Sequence, residues 1–218
     1  MNKKMAMPWW GWLSWILVIV LGMVTYFHLP EQVPSHVNSV GKPGLFIPRL
    51  LAVLYEPAIM LVIILLWHVL WRIDPKKKNY NSFWSTYRYI GGVIIVCIGL
   101  IYLTVLGHLL HFGASMRLAL TAYGMMFMLI GNVLPRLQPN WWIGIRTPWT
   151  LSSEASWTRT HRFGGQLGIP TSILIILLAW VLPISKLMVL AAVGPILLWA
   201  LITIVASYFY ARDGRDRG

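Results

Sequence analysis

Apolar residues fall into six long blocks, at roughly 9–28, 49–71, 88–110, 116–134, 167–183 and 188–210, separated by shorter polar stretches. A helix crosses the hydrocarbon core of a bilayer with about 20 apolar residues, and each block meets or approaches that length. The pattern predicts an all-α integral membrane protein folded as a six-transmembrane-helix bundle. The fifth block is the shortest and carries Pro170 near its start, where proline costs a helix least. Gly194-Pro195 marks a kink point in the sixth. Lys3 and Lys4 precede the first block, but its apolar run is too long for a signal peptide and no cleavage pattern follows before Pro30, so it reads as an uncleaved anchor.

The polar stretches divide the chain. Residues 1–72 form a two-helix unit with an outer loop at 29–48, and 73–87 form a basic linker. Residues 88–210 form a four-helix region with a long loop at 135–166, followed by a basic tail at 211–218. With the N-terminus inside, fourteen lysines and arginines fall in cytosolic segments, against four (Lys42, Arg49, Arg117, Lys186) outside. That bias places both termini and the 135–166 loop in the cytosol. Trp9, Trp10, Trp12, Trp67, Trp71, Tyr208 and Tyr210 then lie near the inner interface, where amphipathic rings anchor.

Composition agrees with this frame: 58% of residues are hydrophobic and 11% charged, whereas soluble domains carry about 25% charged residues. The net charge of +12 sits in short segments between spans, which argues against direct nucleic-acid binding because no contiguous basic footprint forms. Cys97 is the lone cysteine, inside an apolar run, so no intrachain disulfide forms. Gly92 and Gly99, and likewise Gly124 and Gly131, are seven apart on one helix face. Small residues let helices approach closely in lipid, and this spacing predicts a tight hairpin of spans three and four.

Three places carry candidate chemistry. The outer loop sets Gln32, Pro34, His36, Asn38 and Gly41 among turn-forming prolines and glycines, a pattern that serves either as an ordered connector or as a recognition surface. Glu56 lies well inside span two beside Pro57, and an acid at that depth usually has a partner or a task; His108 is the expected partner. His28, His36, His108 and His111 all fall near the outer interface, and the three-residue spacing of His108 and His111 leaves interfacial hydrogen bonding and metal ligation open.

The cytosolic loop breaks most sharply from its surroundings. Four tryptophans (Trp141, Trp142, Trp149, Trp157) are threaded among Asn140, Arg146, Thr147, Thr150, Ser152, Ser153, Glu154 and His161. Pro135, Pro139 and Pro148 make 135–149 extended or turned. Thr150, Ser152 and Ser153 supply cap oxygens for a short interfacial helix over 152–162 that ends at Gly164-Gly165. Glu154 and His161 can be drawn as an acid/base pair, but nothing fixes a catalytic constellation, so no catalytic residue is assigned.

The run Pro139-Asn140-Trp141-Trp142-Ile143-Gly144-Ile145-Arg146-Thr147-Pro148-Trp149-Thr150-Leu151-Ser152, with Trp157, His161 and Gly164-Gly165, closely resembles the signature of SdpI-type immunity proteins. The Pro30–Gly41 pattern resembles the small domain that commonly precedes it, although Pro43 and Phe46 depart from its usual continuation. The resemblance implies a multi-pass protein of the bacterial plasma membrane that protects its producer against a secreted antimicrobial peptide toxin, needs no cofactor, and can also sense toxin and recruit a cytosolic transcriptional repressor. On that reading, Asn140, Gly144, Arg146, Thr147, Pro148, Trp149, Thr150, Trp157, His161 and Gly164 form the cytosolic partner site. Pro34, His36, Asn38, Gly41, Glu56 and His108 are the toxin-binding candidates at the outer face, with membrane lipids as further partners. A membrane-embedded enzyme acting on lipid or peptide, and a small transporter, are the alternatives.

Overall fold

The computed structural model describes residues 5–34, 44–110, 116–183 and 186–215. Six helices are long and apolar enough to cross a membrane. They are α1 (Trp9–Tyr26), α2 (Arg49–Ile73), α3 (Tyr80–Leu109), α4 (Met116–Val133), α6 (Glu154–Val181) and α7 (Lys186–Arg215), with a short α5 (Pro148–Ser152) between α4 and α6. Helices α1–α3 pack together, α4, α6 and α7 form a second group, and α3 meets α4 between them. The fold is an all-α six-span bundle.

Proline and tyrosine chemistry explains one join in the first group. Pro57 lies inside α2 and has no N–H to give, which frees the carbonyl of Val53 one turn back. The Tyr102 hydroxyl of α3 donates to that carbonyl at 3.1 Å, and the Trp15 indole of α1 donates to Pro57 O at 2.9 Å. Lower down, Trp67 and Tyr87 stack at 4.8 Å and exchange bonds: Trp67 Nε1 to Tyr87 O at 3.1 Å, Tyr87 OH to Trp67 O at 2.6 Å. Interhelical hydrogen bonds in lipid average about 0.6 kcal/mol, so these bonds set register while close packing supplies the adhesion.

The glycine faces differ from the predicted hairpin. A Cβ on Gly92 would strike the Trp10 ring at 2.1 Å, and one on Gly99 would meet Val18 at 3.0 Å, so that face of α3 receives α1. A Cβ on Gly124 would lie 2.7 Å from Ile176 and one on Gly131 would lie 3.7 Å from the Cα of Gly168, so that face of α4 receives α6. Spans three and four are neighbours, but each spends its small residues on another partner.

The interfacial helix over 152–162 is also corrected. Helix α5 stops at Ser152, and α6 runs unbroken from Glu154 through Gly164-Gly165 into the membrane span. The glycines are helical and serve close packing in place of ending the helix: a Cβ at Gly165 would lie 2.7 Å from Gly131 O. Helix α3 likewise starts at Tyr80, inside the stretch read as linker, because Tyr80, Phe83, Trp84 and Tyr87 are all buried and extend its packed face.

Between α1 and α2 the chain makes a two-stranded antiparallel ladder, β1 (Gln32–Pro34) with β2 (Phe46–Pro48), pairing Val33 with Ile47. Arg49 closes its base, donating its amide to Glu31 O at 3.0 Å and its guanidinium to Leu29 O at 3.3 Å while lying 4.5 Å over the Tyr26 ring. Pro34 belongs to this ladder; His36, Asn38 and Gly41 lie outside the described residues. Helix α2 separates the ladder from the α2–α3 connection by 25 residues, about 37 Å at 1.5 Å per residue.

Replacing Gly165 with valine forces backbone apart at Gly131 and should cost about 1–3 kcal/mol, lowering the thermal unfolding midpoint in detergent. Gly194→Ala, where nothing lies within 4 Å of the added carbon, should leave the midpoint unchanged or raised.

Candidate functional site

The loop between α4 and α6 opens with a single 3-10 turn at Leu134–Arg136 and stays non-helical to Thr147. A packed loop must find partners for its backbone N–H and C=O groups. Asn140, fully buried, supplies four bonds. Its Oδ1 accepts from the amides of Trp142 and Ile143 at 2.9 and 2.8 Å, and its Nδ2 donates to Gln138 O and Ile143 O, both at 3.0 Å.

His161 holds the next segment. The Ile145 amide donates to His161 Nε2 at 3.0 Å, which requires that nitrogen to be bare; the proton therefore sits on Nδ1, donating to Trp157 O at 2.8 Å. Trp157 stacks on the imidazole at 4.0 Å and gives its indole N–H to Leu137 O at 2.8 Å. Gly144 turns beside this ring with φ +109°, and a Cβ there would lie 2.3 Å from His161 Nε2. Only glycine suits both the backbone and the space.

Thr147 and Thr150 form a reciprocal capping box at the start of α5: the Thr150 amide donates to Thr147 Oγ1 at 3.1 Å and the Thr147 amide to Thr150 Oγ1 at 2.9 Å. Thr150 Oγ1 also donates to Ile145 O at 2.9 Å, and Thr147 Oγ1 lies 2.9 Å from Ser207 Oγ on α7. Ser153, expected to cap with Thr150 and Ser152, is the residue that caps α6, accepting from the Ser156 amide at 3.2 Å. Gly164 lets α7 approach, its carbonyl accepting the Trp199 indole at 2.8 Å.

A residue that the sequence reading passed over ties the loop to the first half of the chain. Asp74, 2% exposed at the end of α2, accepts from Tyr80 OH at 2.8 Å, the Trp141 amide at 2.9 Å and the Lys76 amide at 2.7 Å. Asn79 adds a bond to Pro139 O at 2.8 Å. The one sequence signal was an acid standing alone in a basic linker (Ile73-Asp74-Pro75-Lys76); its partner is 67 residues away.

Of the ten expected cytosolic-site residues, Asn140, Thr147, Thr150, Trp157, His161 and Gly164 are therefore buried inside the loop's own wiring. Arg146 and Pro148 are exposed and Trp149 half-buried, its ring edge-on to Tyr208 at 5.3 Å. Arg146 donates to Trp141 O, while Trp141 and Trp142 present 50% and 36% of their surface. Between this exposed edge and α7 lies a groove of about 490 Å³, lined by Gly144–Trp149 and by Trp199, Ala200, Thr203 and Ile204. Both ring nitrogens of His161 are occupied, and Glu154 lies seven residues away, about 10 Å along α6, so the two do not form an acid/base pair.

At the other end, Glu56 is half-buried on α2, within electrostatic reach of Tyr102. His108 lies in the last turn of α3. Among the described residues no group of three or more His, Cys, Asp or Glu could hold a metal ion.

Six apolar spans around a polar, internally bonded loop define a multi-pass membrane protein. Residues 136–207, the loop with α6 and most of α7, match the SdpI/YfhL protein family. The likeness reaches beyond that region: the chain is 24% identical over 199 residues to "Immunity protein SdpI" of Bacillus subtilis (strain 168), covering 89% of this chain and 93% of that protein. The signature read in the sequence thus coincides with the family match. No solved structure matches the chain.

Asp74→Ala should strand the Trp141 amide and the Tyr80 hydroxyl, at about 1–3 kcal/mol for each buried group left unpaired. Hydrogen exchange at the Trp141 amide should accelerate more than at amides within α6. Gly144→Ala should destabilise through both its φ and the His161 contact, read as a lowered unfolding midpoint.

Proposed function

We propose that this protein protects the cell that makes it against a secreted antimicrobial peptide, acting by binding and not by turnover. The observation that carries this reading is the similarity to an immunity protein along nearly the whole of both chains. The lysine and arginine distribution supports an arrangement with the Gln32–Pro48 ladder outside and the Asn140–Thr150 loop inside. The peptide enters from the outer leaflet and meets the face built by the ladder and the outer parts of α2 and α3, where Pro34, Glu56 and His108 reside; His36, Asn38 and Gly41, between the two strands in sequence, are further candidates.

The finer part of the proposal is sensing. Toxin at the outer face favours one packing of the bundle over another, as ligand-driven switching requires, and the inner loop changes its exposure to a cytosolic repressor. Asp74 supports this route, because it joins α2, whose far end carries the ladder, to the loop backbone at Trp141. Arg146, Pro148 and Trp149 form the exposed edge that a partner would read.

The test is expression in a sensitive host, challenged with a panel of secreted antimicrobial peptides. The wild-type protein should restore growth against at least one. Arg146→Ala and Trp149→Ala, at normal membrane abundance, should lose protection or signalling; full retention of both in both variants removes the assignment of that edge.

A further inference from the structure

We propose that the groove between the Arg146–Trp149 edge and α7 is a binding site for one anionic phospholipid, its phosphate on the Arg146 guanidinium and an acyl chain along α7. This goes beyond the immunity reading and does not depend on it.

The bonding inventory of the groove points to this class of occupant. Thr203 Oγ1 is spent on Trp199 O at 2.9 Å, the Trp199 indole on Gly164 O at 2.8 Å, and Thr147 Oγ1 pairs with Ser207. The remaining side chains, Pro148, Trp149, Ala200 and Ile204, offer apolar surface. Arg146 is the cation of the lining; it gives one bond to Trp141 O, and a guanidinium has five N–H donors. Among the described residues the ion pair is Arg159 with Asp213, so Arg146 has no carboxylate in salt-bridge contact. One cationic end and a long apolar floor match a phosphate head with a hydrocarbon tail.

Helix α6 has 28 residues, about 42 Å at 1.5 Å each, against a hydrocarbon core of about 30 Å, an overhang of about 12 Å. The Gly164–Trp199 contact lies ten residues, about 15 Å, from the start of α6, so the deep end of the groove lies at the level of the hydrocarbon chains. Its α7 wall continues into an exposed apolar face at Leu197 (64%), Leu201 (59%) and Val205 (47%), an open path for an acyl chain.

Native mass spectrometry of the full-length protein, titrated with phosphatidylglycerol or phosphatidylcholine, tests the site. The wild-type protein should take up one phosphatidylglycerol about tenfold more tightly than phosphatidylcholine. Arg146→Gln should erase that preference, Arg146→Lys should keep part of it, and Ala200→Phe should weaken both lipids by filling the groove. Unfolding midpoints near the wild-type value confirm that each variant is folded; if Arg146→Gln is not, loss of the preference at high salt in the wild-type protein replaces it. Equal affinity for the two lipids, an undiminished preference in Arg146→Gln, or wild-type binding in Ala200→Phe overturns the proposal. Displacement of bound phosphatidylglycerol by an equimolar acidic amphipathic peptide reassigns the groove to a peptide and overturns it as well.

Discussion

A stretch of non-helical backbone packed against apolar helices cannot leave its N–H and C=O groups unpaired, since each buried orphan costs about 1–3 kcal/mol. Between Leu137 and Thr150 this protein meets that constraint with side chains. Asn140 satisfies four loop groups, His161 and Trp157 take one each, the two threonines cap each other, and Asp74 takes the Trp141 amide. The loop is consequently joined by hydrogen bonds to α6, α7 and the end of α2. Its exposed edge, Arg146 to Trp149, is held in place by what lies beneath.

That wiring separates two roles within one signature. The polar residues that mark the segment in the sequence are mostly buried and bonded to backbone, and few of them face outward. A buried network of this kind is strict, because each missing partner leaves another group unsatisfied. The long run of specific residues thus follows from the needs of an irregular loop packed against apolar helices.

Asp74 gives the two halves of the bundle a shared element. Helices α1–α3 and the α4, α6, α7 group each have their own glycine-mediated contacts, at Gly92 and Gly99 in one and at Gly124 and Gly131 in the other. The carboxylate and the Asn79 amide bind the second group's loop from the first group's connection. The end of α2 is thus bonded to the Trp141 amide, and the Trp141 carbonyl in turn accepts from Arg146.

The six spans were legible because burial in lipid is a local property: about 20 apolar residues in a row suffice, wherever the rest of the chain goes. The loop's distinct chemistry was read the same way, from residues out of keeping with their neighbours. Helix continuity through Gly164-Gly165 was not legible, because these glycines serve close packing, and the carbonyl that Gly165 must clear, that of Gly131, lies more than thirty residues away. Nor was the destination of the glycine faces, since seven-residue spacing gives a face but no partner. Asp74 was invisible as a clamp for the same reason, its acceptor role resting on a backbone amide 67 residues on. Sequence alone determined which segments enter the membrane and which residues are chemically unusual; tertiary structure decided which of those residues face inward, because hydrogen-bond partners and close approaches are set by helix packing and not by spacing along the chain.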